Sequence, residues 1–137
     1  MPVLTGVIET CLYVDDLDRA SQFYESVFAL PRIDGDARLR AYSVAGRGVL
    51  LLFKRGASLK PAPHSTGVIS AHDGNGPLHF AFSITASELG AWEKHLAEKN
   101  VAIESRIHWS RGGTSLYFRD PDGNLGELAT PGLWSIY

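Results

Sequence analysis

The segment "SLYFRDPDGNLGELATP", Ser115 to Pro131, decides how this chain is read. Its apolar first half runs into Asp120-Pro121-Asp122-Gly123-Asn124, a composition that marks a tight turn because Pro presets φ and Gly supplies a positive one. The flanks therefore read as strands, Thr114–Arg119 before the turn and Asn124–Ala129 after it. Inside the second strand stands a carboxylate, Glu127. An acid on an otherwise buried strand is costly unless a positive partner meets it.

Upstream of this hairpin, "LHFAFSI" (Leu78–Ile84) reads as a strand and "TASELGAWEKHLAEKN" (residues 85–100) as a helix with Leu89, Trp92 and Leu96 on its apolar face, followed by a strand near Val101–His108. The first half of the chain says the same thing. "VIETCLYV" (Val7–Val14) is a strand, and Asp15-Asp16 supplies helix-start chemistry. "LDRASQFYESVFAL" (residues 17–30) places Leu17, Ala20, Phe23, Tyr24, Val27 and Phe28 on one helical face, with Pro31 as the stop. Strands around Arg38–Val44 and Val49–Lys54 follow, joined by a turn at Gly46-Arg47-Gly48. Glu9 matches His79 at an offset of 70, and Ala20, Phe23 and Val27 match Leu89, Trp92 and Leu96 at 69. Such an internal repeat predicts an α+β fold made of two paired βαβββ modules, residues 5–55 and 78–130, forming one curved mixed sheet around a cavity. The segment 56–77 between them, rich in Gly, Pro, Ser and His, reads as a linker or binding loop without regular structure. Residues 131–137 form a tail, and the whole chain, 1–137, counts as a single domain.

Bulk properties narrow the function classes. The 137 residues are 45% apolar and 20% charged, the balance of an ordinary globular domain. A formal charge of −2 with no basic stripe argues against nucleic acid as a partner. A single cysteine, Cys11, rules out an internal disulfide framework and fits a reducing compartment. No run approaches the roughly 20 apolar residues of a membrane span, so no membrane partner is expected. The start, "MPVLTGVIET", lacks signal-peptide character, and a cytoplasmic location is the expectation.

Strand side chains alternate faces, which sorts candidates for the cavity. Glu9, Cys11 and Tyr13 share one face of the first strand, and His79, Ala81 and Ser83 share the polar face opposite Phe80, Phe82 and Ile84. Glu127 and Ala129 oppose Gly126 and Leu128. Ser115, Tyr117 and Arg119 turn away from Leu116 and Phe118. Glu9, His79 and Glu127 thus fall on the mixed faces of three strands. Two carboxylates and an imidazole converge favourably around a divalent cation, which leaves open positions for water or substrate. Each residue also has a plainer reading: Glu9 facing solvent on an edge strand, His79 bonded to a backbone carbonyl in the core, Glu127 paired with Arg119 or Arg40.

The stretches "ETCLYVDDLDRASQFYESVFAL" (residues 9–30), "GPLHFAFSI" (76–84) and Ser115–Pro131 together resemble the vicinal oxygen chelate superfamily, which includes glyoxalase I, extradiol dioxygenases, fosfomycin-resistance proteins and bleomycin-resistance proteins. The resemblance implies paired βαβββ modules, a divalent metal (Mn²⁺, Ni²⁺, Co²⁺, Zn²⁺ or Fe²⁺), and Glu9, His79 and Glu127 as its ligands. It also implies a homodimer. Two departures stand out. The first-strand ligand, commonly His, is Glu9 here, and the fourth ligand of glyoxalase-type members falls on Leu52, or on Leu51 if the register slips. Neither leucine binds metal, which speaks against glyoxalase I activity. By the same resemblance Ser115 and Tyr117 contact an anionic substrate, and Tyr117 and Glu127 are catalytic candidates. Arg111, beside the flexible Gly112-Gly113 pair, is a candidate oxyanion clamp, and Trp109 a candidate pocket wall. His64, His72 and His108 are candidate acid–base groups.

The function expected from all this is a divalent-metal-dependent enzyme acting on a small oxygen-chelating substrate by lyase, isomerase, transferase or dioxygenase chemistry. The alternative is a metal-free small-molecule-binding protein of the bleomycin-resistance type.

Overall fold

The computed structural model describes all 137 residues. They form two compact units, Met1–Gly76 and Pro77–Tyr137. The first contains β1 (Glu9–Val14), α1 (Leu17–Phe28), β2 (Arg32–Gly35), β3 (Leu39–Val44), β4 (Gly48–Lys54), β5 (Ala62–His64) and β6 (Gly67–Ile69). The second contains β7 (His79–Ser83), a 3₁₀ turn at Ala86–Glu88, α2 (Leu89–Glu98), β8 (Ser105–His108), β9 (Thr114–Arg119) and β10 (Leu125–Ala129).

Each unit is built on a four-stranded mixed sheet, ordered β1-β4-β3-β2 in the first and β7-β10-β9-β8 in the second. In both, the opening strand pairs in parallel with the closing one, β1 with β4 and β7 with β10. The remaining pairs are antiparallel. The repeat in the sequence is therefore a repeat of topology.

Helix α1 begins where Asp16, in an extended conformation, accepts the amides of Asp18 and Arg19. It buries Leu17, Ala20, Tyr24 and Val27. It ends at Phe28, earlier than the expected stop at Pro31, because Ala29 takes a left-handed φ of 50° and returns its amide to the Glu25 carbonyl. Of the expected apolar face of α2, only Leu96 is fully buried, and Leu89 and Trp92 are half-buried.

Three strands depart from the sequence reading. β2 is entirely exposed and carries an irregularity between Arg32 and Asp34, so it lacks the alternation that marks a half-buried strand. The 56–77 segment, expected to be irregular, contains the β5–β6 hairpin, paired from Ala62↔Ile69 to His64↔Gly67. Three residues per strand with almost no burial leave no periodic signature in the sequence. No helix is long and apolar enough to cross a membrane.

The Asp-Pro-Asp-Gly-Asn turn positions the candidate site. Asp120 accepts the amides of Asp122 and Asn124 and the Asn124 side-chain amide, each at 2.9 Å. The Asn124 side-chain oxygen then accepts the Leu78 amide at 3.0 Å. Asn124 is 1% exposed, so one buried side chain ties the turn before β10 to the residue preceding His79. On β10, Gly126 lies against the Phe118 ring, where an added Cβ would come within 2.2 Å of it.

Candidate metal centre

His79 opens β7 and pairs in register with Leu125, while Glu127 pairs with Ala81 on one side and Tyr117 on the other. Side chains of laterally paired residues share a face, so His79, Glu127 and Tyr117 lie together on one surface of the second sheet. The His79 side chain is 52% exposed and that of Glu127 is 5% exposed. His79 is thus not the core histidine of the plainer reading, although it does bond a backbone carbonyl.

That carbonyl fixes its tautomer. His79 Nδ1 lies 2.9 Å from the Leu125 oxygen, and a carbonyl only accepts, so Nδ1 carries the hydrogen. In the neutral ring the lone pair is then on Nε2, which faces Glu127 Oε2 at 3.3 Å. Two acceptor atoms at that spacing call for a shared hydrogen or a cation between them. Two ligand atoms at about 2.0–2.2 Å from one tetrahedral ion lie about 3.3–3.6 Å apart. The pair therefore has the spacing of two ligands of one ion, and the imidazole N–H bonded to a carbonyl is the outer-sphere arrangement of metal-binding histidines.

The other carboxylate oxygen is also engaged. Ser115 donates its hydroxyl to Glu127 Oε1, and the Trp109 indole N–H donates to Ser115 Oγ at 2.8 Å. Ser115, expected to touch substrate, is instead fully buried. Tyr117 is half-buried beside Glu127, its ring centroid 6.2 Å from that of His79. Burial first, and then the Glu127 charge, hold its phenol above the ordinary tyrosine value, so it remains a hydrogen-bond donor. Arg119, suggested as a partner for Glu127, does not take that role. Arg119 pairs with Glu104 at 2.6 Å, and Arg40, in the first unit, reaches Asp18 at 3.4 Å.

Glu9 belongs to the first unit, at the exposed start of β1. Neither unit by itself gathers three His, Cys, Asp or Glu side chains able to hold a metal ion. Two strand positions along, burial and the Glu9 charge push the Cys11 thiol up, which keeps it protonated. The internal registers also decide the fourth-ligand position. Glu9 pairs with Val49 as His79 pairs with Leu125, so the equivalent of Glu127 is Leu51, not the fully buried Leu52.

Trp109 is 37% exposed and Arg111 is exposed. Three histidines considered as acid–base groups are held locally: His72 by the Tyr13 hydroxyl at 2.8 Å, His108 by Thr114 at 3.1 Å and His64 by Thr66 at 3.2 Å. What the sequence could not show is the role of the Leu125 carbonyl, a backbone atom that only the strand register brings to His79.

The chain belongs to the Glyoxalase/Bleomycin resistance protein/Dioxygenase superfamily, whose family model matches residues 6–128. Among curated proteins it is similar to metallothiol transferase FosB of Shouchella clausii, 30% identical over 131 residues, covering 93% of this chain and 82% of the relative. It is also similar to metallothiol transferase FosB of Bacillus licheniformis, 29% identical over 128 residues, covering 93% and 76%. Among solved structures, lactoylglutathione lyase from Agrobacterium tumefaciens superposes with a TM-score of 0.87 at 32% identity, covering 96% of this chain and 98% of that one. The fosfomycin resistance protein FosX from Listeria monocytogenes shares the fold, with a TM-score of 0.69 at 20% identity over 96% and 97% of the two chains.

Proposed function

We propose that this protein is a divalent-metal-dependent enzyme that acts on a small substrate presenting vicinal oxygens, by transferase or lyase chemistry. His79 Nε2 and Glu127 Oε2 are two of its metal ligands. The observation that carries the reading is the His79 Nε2 atom facing the buried Glu127 carboxylate at 3.3 Å, with the ring's other nitrogen bonded to a carbonyl. A names-level parallel supports it: one group of relatives is called metallothiol transferase, and the lyase relative acts, by its name, on a glutathione adduct.

When bound, the ion supplies Lewis acidity to substrate oxygens. The chain's own residues do the rest. The Leu125 carbonyl orients the His79 ring, and Ser115 holds the carboxylate. Tyr117, its phenol kept protonated, donates to a substrate oxygen as negative charge develops there. Arg111 and the outer face of Trp109 contact the remainder of the substrate. Glu127 would help hold the ion and is the candidate base of the site. The working unit is a homodimer in the cytoplasm.

Metal analysis of protein purified without chelator tests the metal assignment. Stoichiometric divalent metal is expected in the wild type, and its loss in His79→Ala and in Glu127→Gln, with unchanged circular dichroism. A wild type without metal that binds an aromatic cation instead would establish the bleomycin-resistance type of function. Retention of metal by both variants would also overturn the assignment.

A further inference from the structure

The polar chain behind Glu127 has a direction. An indole N–H only donates, so Ser115 accepts from Trp109 and its own hydrogen must go to Glu127 Oε1. That leaves Oε2 as the oxygen that faces His79. Trp109 is not held loosely. It lies in the β8–β9 connection, where its amide reaches the Gly113 carbonyl at 2.8 Å and its carbonyl accepts the Gly112 amide at 2.9 Å. This turn requires glycine twice. Gly112 has φ +99°, and a Cβ on Gly113 would come within 2.6 Å of the Gly132 backbone. The Gly113 amide bonds the Gly132 carbonyl at 3.2 Å, and the Thr114 amide bonds Thr130 Oγ1 at 2.8 Å. The turn that aims the indole is thus pinned to the residues just after β10, the strand that carries Glu127.

From this we infer that Trp109 is a positioning residue, acting through Ser115 to hold Glu127 as a ligand through one oxygen only, rather than simply walling the pocket. The inference rests on the metal reading proposed above. A wall needs only an aromatic ring, and the half-exposed face of Trp109 supplies one. The relay needs the N–H. Trp109→Phe separates the two, because it keeps a ring and removes the donor.

The test is a titration of the full-length, metal-stripped protein with Zn²⁺ against a chelating dye, with thermal melting as the control for folding. Trp109→Phe and Ser115→Ala should each weaken Zn²⁺ binding by roughly 10- to 100-fold, the usual effect of removing an outer-sphere partner. The double variant should bind no more weakly than Ser115→Ala alone, since both changes cut one chain. A second readout uses protein in which Trp92 and Trp134 are replaced by Phe. There Trp109 emission should shift on adding Zn²⁺, and the shift should vanish with Ser115→Ala. Wild-type affinity in Trp109→Phe, or independent losses in the double variant, overturns the inference while leaving the metal site intact. A wild type that binds no Zn²⁺ overturns both, and is recognised before any variant is made.

Discussion

At the scale of single residues, the second unit owes its site to a few side chains whose roles are not interchangeable. Asn124 connects the turn to Leu78, and hence His79 to β10, from a position with 1% exposure. Gly126 is a packing requirement. Its Cα hydrogens face the edge of Phe118, a ring with no exposure and so no room to retreat. Gly126→Ala should therefore destabilise the protein by about 1–3 kcal/mol through overpacking. Equilibrium denaturant unfolding checks this, and a midpoint equal to that of the wild type would refute it. Sequence alternation correctly opposed Gly126 and Leu128 to Glu127 and Ala129. It missed that all four are buried, because both faces of β10 are covered.

At the scale of elements, the Glu25 carboxylate links α1 to two strands of its sheet at once. Glu25 accepts from the Tyr42 hydroxyl on β3 at 2.8 Å and from Arg32 Nη2 on β2 at 2.8 Å. The Arg32 hydrogen bond, and after it that from Tyr42, hold the Glu25 carboxyl below the ordinary glutamate range. A depressed carboxylate pKa contributes stability that is present above the unfolded-state value, about 4.3, and is lost as pH falls through the folded-state value. The contribution is modest, because both Glu25 and Arg32 are more than two-fifths exposed. Glu25→Gln should lower the denaturant midpoint at pH 7, and the gap from the wild type should close as pH falls below about 4. A gap that stays constant or widens with acid would show that the ion pair is not its source. The sequence disclosed the helix and its buried face. It could not disclose this link, because Arg32 lies on a strand too exposed to be read.

At the scale of the whole molecule, two units of equal topology make up the chain, with Glu9 in the first and His79 and Glu127 in the second. The chain also leaves many large apolar side chains in solvent, among them Leu4, Val7, Ile8, Leu59, Val68, Trp134 and Ile136. Scattered apolar residues are ordinary, but this number on so short a chain is what a subunit contact would bury. Sedimentation equilibrium should report twice the 14.9 kDa chain mass. A single-chain mass at micromolar concentration would refute the dimer.

Local chemistry was enough to determine the repeat, the capped first helix, the hairpin around Asp120–Asn124 and the family. Each depends on residues close in sequence, where periodicity and turn preference act directly. Side-chain alternation alone also placed His79 and Glu127 on polar strand faces. Tertiary structure decided the rest: the parallel register that sets His79 beside the Leu125 carbonyl, the choice of Leu51 over Leu52 as the equivalent of Glu127, and the burial of Ser115 between Trp109 and Glu127. These depend on how strands distant in sequence slide against one another. A shift of one residue turns every side chain to the opposite face, and no local preference sets that shift.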